Sequence, residues 1–542
     1  MYNNRKLSVY LPIILALVLL VGFFLGAILI KVSTIDSGML DGIKKRSYDP
    51  VSNVISYITQ EYVDTISVDL LQQSAITGIL SNLDPHSQYI TAEEFNEVND
   101  PLLGNFEGIG VQFRIESDTV YIVNTIPGGP SEKVGIMAGD RIIKVGDKLI
   151  AGVKITNNEV MHLLKGERGT KVSVSIFRKG VDALVPFDII RDIIPTYSVD
   201  IAFVPRPGIG YIKLSKFSAT TPEEFRKALT DLKLQGIKKL ILDLRGNSGG
   251  YLHTAIDVAD EFLEDGRLIV YTEGAHRPRQ TAYATARGSF ETGELMVLID
   301  EGSASSSEIV AGAIQDNDRG TIIGRRSFGK GLVQEQLSLP DGSAVRLTVA
   351  RYYTPTGRSI QKPYTKGHAD EYMDELMERM VNGEYQHADS IHFNDSLKFT
   401  TPGGKTVYGG GGIMPDVYIP VETNEQYKYF NELLSRGLIY QFTFEYTDAN
   451  RARLRRYGNF ANFDRSFEVS PELFEKFIQF SEEKGVKRNP AGINFNKHEI
   501  QNLIKALISR NLYNEEGFYP IYLRTDETFQ KALEIFNKDM KV

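Results

Sequence analysis

Between about residues 195 and 360, short apolar runs alternate with amphipathic stretches three times in succession. GIGYIKL precedes TPEEFRKALTDLKLQ, KKLILDL precedes HTAIDVADEFLE, and LMVLID precedes SSEIVAGAIQ. A run of that length reads as a strand, and apolar positions spaced three and four apart read as one face of a helix. A strand that returns to the next strand through a helix can lie beside it only in parallel. The segment is therefore expected to form βαβ units around a largely parallel sheet.

The flanking regions carry other periods. Val51, Val54, Ile55, Ile58 and Val63 recur at helical spacing, until Asp-Pro in LDPHSQYI breaks the pattern. From about 105 to 192 the period falls to two, clearest in VSVSIFRKG. Residues 362–407 are polar and irregular apart from DEYMDELMERM, and read as an insertion. After GGGGIMPDVYIP the chain is helical to its end. Ser470-Pro471-Glu472 supplies an N-cap with proline in the first turn, and HEIQNLIKALI and DETFQKALEIF are amphipathic. At the other end, Leu7 to Ile30 holds no charged residue. At ~1.5 Å per residue it is long enough for a hydrocarbon core of about 30 Å. GAILIKVSTIDSG offers no A-x-A-like cleavage site, so an uncleaved anchor is expected. Arg5 and Lys6 before the span place its short end in the cytoplasm, although Lys31 narrows the bias. The expected segments are an anchor at 1–35, a helical region at 36–103, a β-rich domain at 104–192, an α/β core at 193–422 and a helical region at 423–542.

A chain of 542 residues has room for about three or four domains. It has no cysteine, which excludes disulfides, thiolate nucleophiles and cysteine metal sites. A net charge of −8 and the lack of a long basic run argue against a nucleic-acid partner.

The richest chemistry lies in LMVLIDEGSASSSEIVAGAIQDN. A strand, a tight Gly/Ser turn and a helix place a serine beside free backbone N–H groups and the positive end of a helix dipole, where an oxyanion is stabilised. Ser305-Ser306-Ser307-Glu308 is equally a capping box, which needs no chemistry. A nucleophilic serine needs a base. Lys330, between Gly329 and Gly331, enters an alternating strand in which Lys330, Leu332 and Gln334 share a face. An amide there can orient the amine, and burial would lower its pKa toward the neutral form. GRRSFGKG also approaches a phosphate-binding loop, but Gly331 stands where the Mg²⁺-holding Ser or Thr is required. GNSGG matches a nucleophile elbow, making Ser248 a competing nucleophile; the same glycines can instead bring backbone N–H groups to a substrate carbonyl.

Taken together, LDPHSQYI, FEGIGVQF, GPSEKVGIMAGDRIIKVGD, LDLRGNSGGYL, GSASSSEIVAGAIQDN, GRRSFGKGLVQ, YYTPTGRSIQ and GIMPDVYIP resemble, in order, the carboxyl-terminal processing peptidases, or tail-specific proteases. The resemblance covers about residues 50–420. It implies a PDZ domain before a crotonase-like protease core, so that with the transmembrane helix and the helical C-terminal region read above the expected fold is an α/β multidomain protein. It implies Ser305 as nucleophile, Lys330 as general base and Gln334 as its orienting partner. The oxyanion hole would come from Gly249 or Gly250 and from the N–H of Ser306. Ser248, where the family often has proline, becomes a bystander. No metal or cofactor is implied. In the PDZ module, Gly108, Ile109, Gly110 and Val111 would receive the terminal carboxylate of an added peptide strand, with Asn157–Leu164 across the groove. Lys165 falls where relatives often carry a basic residue linked to gating.

The implied partners are protein substrates with unstructured C-terminal tails and an inner membrane, with the catalytic domains in the periplasm. A homodimer or higher oligomer through the N-terminal helices is a further expectation. The region after 423 is left open to bind an adaptor, pack on the core or help oligomerise. Two alternatives stand beside this reading: a membrane-anchored PDZ scaffold with an inactive core, and an esterase built on Ser248.

Overall fold

The computed structural model of the chain describes residues 49–422 and 424–538. The expected anchor Leu7–Ile30 lies outside them. Among the described residues no helix is long and apolar enough to cross a membrane. The chain divides into two units, residues 1–80 and 81–542. In the first, Pro50–Glu61 and the helix beginning at Val68 are the described elements. Asp49 caps the former by accepting the Ser52 N–H at 3.2 Å, with Pro50 in the first turn.

The second unit is organised around a six-stranded sheet in the spatial order Val199–Arg206, Ile209–Leu214, Lys239–Asp243, Glu294–Ile299, Thr321–Gly324, Val417–Tyr418. The first two strands form an antiparallel hairpin, and every later neighbour is parallel, as the alternation requires. Lys239–Asp243 pairs with Glu294–Leu298 residue for residue. The two strands therefore end at the same edge, and the loops that follow them emerge side by side. Carboxyl edges of parallel strands are where such sheets place ligands.

The inner strands of this sheet are buried on both faces, so they read as continuous apolar runs rather than alternating. Leu240, Leu242, Val297 and Ile299 pack under the helices Thr221–Leu234, Leu252–Asp260 and Ser306–Asp316. On the opposite face, Ile241, Met296, Leu298 and Ile323 pack against Phe529, Ala532, Leu533 and Phe536 of the helix Glu527–Lys538. At about 1.5–3 kcal/mol for each large apolar side chain buried, that cover is a sizeable part of the core's stability. Of the roles left open for the C-terminal region, packing on the core is the one the fold displays. Arg245 of the core adds a two-pronged ion pair to Asp526, with both contacts at 2.9 Å.

A second, five-stranded sheet contains Leu332–Ser338, Ala344–Tyr353, Leu268–Gly274, Arg277–Tyr283 and the short strand Gln88–Ile90. The β-rich segment forms its own antiparallel sheet from Val111 to Ile190. It is joined to the rest by the ribbon Asn105–Gly108 with Asp192–Pro195. In the polar segment 362–407 the helical stretch expected at DEYMDELMERM is the helix Ala369–Val381. It buries Tyr372 and Arg379 behind the lysine turn. Arg379 donates to the carbonyls of Ser327 at 2.8 Å and Phe328 at 3.0 Å.

Candidate active site

The loop after Lys239–Asp243 and the loop after Glu294–Ile299 are zipped together. Ala304 N–H donates to the Asn247 carbonyl at 3.0 Å, Ser307 Oγ donates to the same oxygen at 2.8 Å, and Ser303 Oγ donates to the Leu244 carbonyl at 2.9 Å. Ser305 sits at the N-cap of Ser306–Asp316 with φ 53° and ψ −111°. A non-glycine residue in that region is strained by about 1–3 kcal/mol, and such strain clusters where a side chain must be presented at a fixed angle.

The glycines of GNSGG serve close approach. A Cβ on Gly249 would lie 2.8 Å from Ser305 Cβ and 2.9 Å from the Ala304 carbonyl, and one on Gly250 would overlap the Phe217 carbonyl. The two glycines then differ. The Gly249 N–H is engaged by Asn247 Oδ1 at 2.9 Å. The Gly250 carbonyl accepts from Ser306 Oγ at 3.0 Å, and its N–H has no hydrogen bond among the described residues. Of the two expected oxyanion donors, Gly250 is the one with its N–H to spare.

Lys330 reaches the site from the second sheet. Its Nζ donates to Gln334 Oε1 at 3.1 Å, and Gln334 Nε2 donates to the His86 carbonyl at 2.5 Å. The amide is thereby held with its oxygen toward the amine. Burial, with the positive Arg346 nearby, holds the Lys330 amine below its ordinary value of 10.5, while Glu308 and Asp84 pull the other way. The His86 segment is the LDPHSQYI motif. Asp84 accepts from the N–H groups of His86 at 2.9 Å and Ser87 at 3.0 Å, and from Thr348 Oγ1 at 2.9 Å, tying the turn to the lysine's sheet. Burial and the Lys330 charge push the His86 imidazole down to about 4.

Glu308 is where the capping reading and the catalytic reading meet. It is fully buried and does cap the helix, accepting the Ser305 N–H at 2.8 Å. The same carboxylate also accepts from Ser327 Oγ at 2.5 Å and from the N–H groups of Gly329 at 2.7 Å and Lys330 at 2.9 Å. One side chain thus holds the serine turn and the lysine turn in register. Burial pushes its pKa up to about 7 despite those four donors. The Tyr352 hydroxyl makes a second staple, donating to the carbonyls of Lys330 at 2.8 Å and Ser305 at 3.2 Å. Sequence reasoning missed both linking roles. The S-x-x-E spacing was the available signal for Glu308; nothing local marks Tyr352.

The outcome is a cavity of about 380 Å³ whose lining includes Ser305, Ser306, Gly249, Gly250, Lys330 and Gln334. Ser248 lines it too, but is exposed and hydrogen-bonded to no histidine or acid among the described residues.

A second cavity, of about 400 Å³, lies at the mouth of the β-rich domain. Gly108, Ile109, Gly110 and Val111 form one side, and Met161 and Leu164 of the helix Asn157–Leu164 the other. Lys165 lies at its end, paired with Asp100 at 2.7 Å.

The molecule thus holds one cleft that gathers Ser305, Lys330 and the close-packed glycines, and a second, largely apolar groove in the β-rich domain. Comparison with known proteins gives the family. Residues 208–369 match Peptidase family S41, residues 108–188 match the PDZ domain, and residues 429–514 match a family of unknown function (DUF8443). The carboxy-terminal-processing protease of Bartonella bacilliformis is 39% identical over 314 residues, which is 57% of this chain and 71% of that one. Carboxy-terminal processing protease CtpA of Bacillus subtilis is 34% identical over 330 residues, or 60% and 70% of the two chains. A solved photosystem II D1 C-terminal processing protease is 26% identical and covers 68% of this chain and 92% of its own, with a TM-score of 0.35. The chain belongs to the carboxy-terminal processing proteases of Peptidase family S41, and is a serine-type peptidase with a PDZ domain ahead of its protease core.

Proposed function

We propose that the protein is an endopeptidase that cleaves protein substrates at or near unstructured C-terminal tails, using Ser305 as nucleophile and Lys330 as general base. The observation that carries this reading is the lysine. It is largely desolvated, its amine is biased toward the neutral form, and Gln334 holds it in the same cleft as a strained serine at a helix N-terminus. A binding protein has no use for that arrangement, which counts against an inactive scaffold.

In the proposed reaction, neutral Lys330 takes the Ser305 proton as Oγ attacks the scissile carbonyl. The N–H groups of Gly250 and Ser306 receive the developing oxyanion. Protonated Lys330 returns the proton to the leaving amine, giving an acyl-enzyme and a released C-terminal fragment. The lysine then deprotonates a water, which hydrolyses the ester and restores Ser305.

The PDZ groove selects the tail. Its walls are apolar, and a tail carboxylate arriving near Gly108–Val111 would compete with Asp100 for Lys165. That competition offers a route for gating. Glu97, Asp100 and Pro101 of the helix Phe95–Leu103 line the PDZ groove, while Asn99 and Leu102 of the same helix line the catalytic cleft. We further propose Leu7–Ile30 as a single inner-membrane anchor, with the catalytic domains in the periplasm and dimerisation through the N-terminal helices. Alkaline extraction of membranes and sedimentation of the full chain test those points.

The decisive assay is proteolysis of an unstructured protein with an apolar C-terminal tail, with Ser305→Ala, Lys330→Ala and Ser248→Ala run beside wild type. Cleavage by wild type and Ser248→Ala alone is expected. Cleavage retained in Ser305→Ala and lost in Ser248→Ala would transfer the nucleophile to the GNSGG loop.

A further inference from the structure

The lining of the Ser305–Lys330 cleft holds two cationic side chains, Lys330 and Arg346, and no carboxylate among the described residues. Lys330 is used by the proposed reaction, as a neutral amine. Arg346 has no task there. It stands in the strand Ala344–Tyr353 directly across from Gln336, so its side chain shares a face with Gln334 and Gln336 of the lysine's strand.

The Arg346 guanidinium meets only neutral groups. Nη2 donates to Gln336 Oε1 at 2.9 Å and to Asn99 Oδ1 at 3.4 Å. Nε and Nη1 make no hydrogen bond among the described residues, and neither is sealed from solvent. Elsewhere in the core, Arg245, Arg325 and Arg326 each hold a carboxylate. Arg346 forms no ion pair among the described residues, and its partial burial holds its pKa below the ordinary 12.5 with only Tyr251 opposing. Asn99 belongs to the helix Phe95–Leu103, which also lines the PDZ groove, so Arg346 lies on the side of the cleft that adjoins the groove.

A partly desolvated cation with open donors and no counter-charge favours an anionic ligand, and the planar fork of a guanidinium fits the two oxygens of a carboxylate. On the reading proposed above, on which this inference rests, the ligand of the cleft is a peptide chain. We propose that Arg346 is a specificity-determining residue that binds a carboxylate of the substrate. The source is either an Asp or Glu side chain within a few residues of the scissile bond or the terminal carboxylate of a short tail. The pairing has a chemical consequence. The Arg346 charge is one of the influences that hold the Lys330 amine down, so a carboxylate seated on Arg346 would let that amine rise toward its ordinary value.

The test uses the full-length chain carrying Ser305→Ala, in which binding is measurable whether or not Ser305 is the nucleophile. Calorimetry gives dissociation constants for peptides of one apolar sequence: a central Glu with an amidated end, a central Gln with an amidated end, and the central Gln with a free terminal carboxylate. At least one carboxylate peptide is expected to bind about tenfold more tightly than the neutral one. Adding Arg346→Gln should remove the gain from the peptide that supplies the carboxylate, and so identify the source. Adding Arg346→Glu should invert the preference, so that a central Lys binds better than a central Glu. The proposal is overturned if neither carboxylate tightens binding, or if every gain survives Arg346→Gln. It is also overturned if Arg346→Glu leaves Lys no better than Glu, since Arg346 would then have only a structural role. With Ser305 restored, the same preference should appear in kcat/KM, and the pH midpoint of kcat should lie higher for the preferred peptide than for the neutral one. A binding preference without cleavage would count against the protease reading and leave the carboxylate site standing; cleavage without a preference would do the reverse.

Discussion

The Ser305–Lys330 cleft and the PDZ groove are nearly equal in size, about 380 and 400 Å³, and share the helix Phe95–Leu103 as a wall. They are built on opposite principles. The cleft is lined by polar groups that are themselves held by buried partners: Lys330 by Gln334, Gln334 by the His86 carbonyl, and both turns by Glu308. The groove is lined mostly by apolar groups, among them Ile109, Val111, Phe113, Met161 and Leu164, with Glu97, Asp100, Lys165 and Lys216 beside them. Bond-breaking needs donors and acceptors fixed to within fractions of an ångström, whereas tail capture needs apolar area and a main-chain edge. Errors should therefore propagate differently: damage to the cleft should appear in kcat, and damage to the groove in KM for tailed substrates.

The largest expected effect is at the reacting groups. Ser305→Ala or Lys330→Ala should lower kcat/KM by at least about a thousandfold, on short peptides and tailed proteins alike. Wild-type kcat should rise with pH along the deprotonation of Lys330, at a midpoint below the ordinary 10.5. A flat profile would break the assignment of Lys330 as base.

Next is Glu308→Gln. An amide offers one acceptor oxygen and turns its NH₂ toward backbone donors, so at least one buried N–H loses its partner, at about 1–3 kcal/mol. Misalignment of the serine and lysine turns should lower kcat by about ten- to a hundredfold with little change in KM. Stability carries its own signature. The Glu308 pKa rises from 4.5 to about 7 on folding, chiefly through burial, so the folded chain binds the extra proton in that window. The stability this adds is complete below pH 4.5 and is lost as pH rises through about 7. Glu308→Gln should flatten that part of a urea-midpoint profile, and an unchanged profile would mean the group is not desolvated as described.

A smaller effect is expected in the groove. Met161→Asp places a charge on its apolar wall and should raise KM for a tailed protein about tenfold, leaving a short tail-less peptide unaffected. Equal losses on both substrates would mean that the two cavities are not separable. The smallest change is Asp100→Asn, which frees Lys165 from a partly exposed pair and should shift tail affinity by about two- to fivefold.

Much of this architecture was legible before folding. Because the strands of the parallel sheet are buried on both faces, their apolar runs stand out, and the helices between them carry plain amphipathic periods. The cleft residues were legible for another reason. Taken alone, the Ser305 turn reads equally as a helix cap and Lys330 as a surface lysine, and it was the run of motifs resembling one family, in order along the chain, that singled them out. In the segment 362–407 the helix was legible but its burial was not. Tyr372 and Arg379 look like surface residues in a polar stretch, yet they are buried behind the lysine turn because their polar atoms meet backbone carbonyls and side chains far away in sequence.

By itself, the sequence determined which elements form, which residue types stand at each turn, and the order of a PDZ domain before a protease core. Those properties depend on neighbours within a few positions along the chain. Only the tertiary structure decided that Gly250 rather than Gly249 keeps a spare N–H, and that Glu308 and Tyr352 bridge two turns. It also decided that the last helix seals the second face of the core sheet. Each of these is a statement about desolvation or about hydrogen bonds between distant segments. Such free energies exist only once packing has excluded water and brought remote groups within about 3 Å of one another.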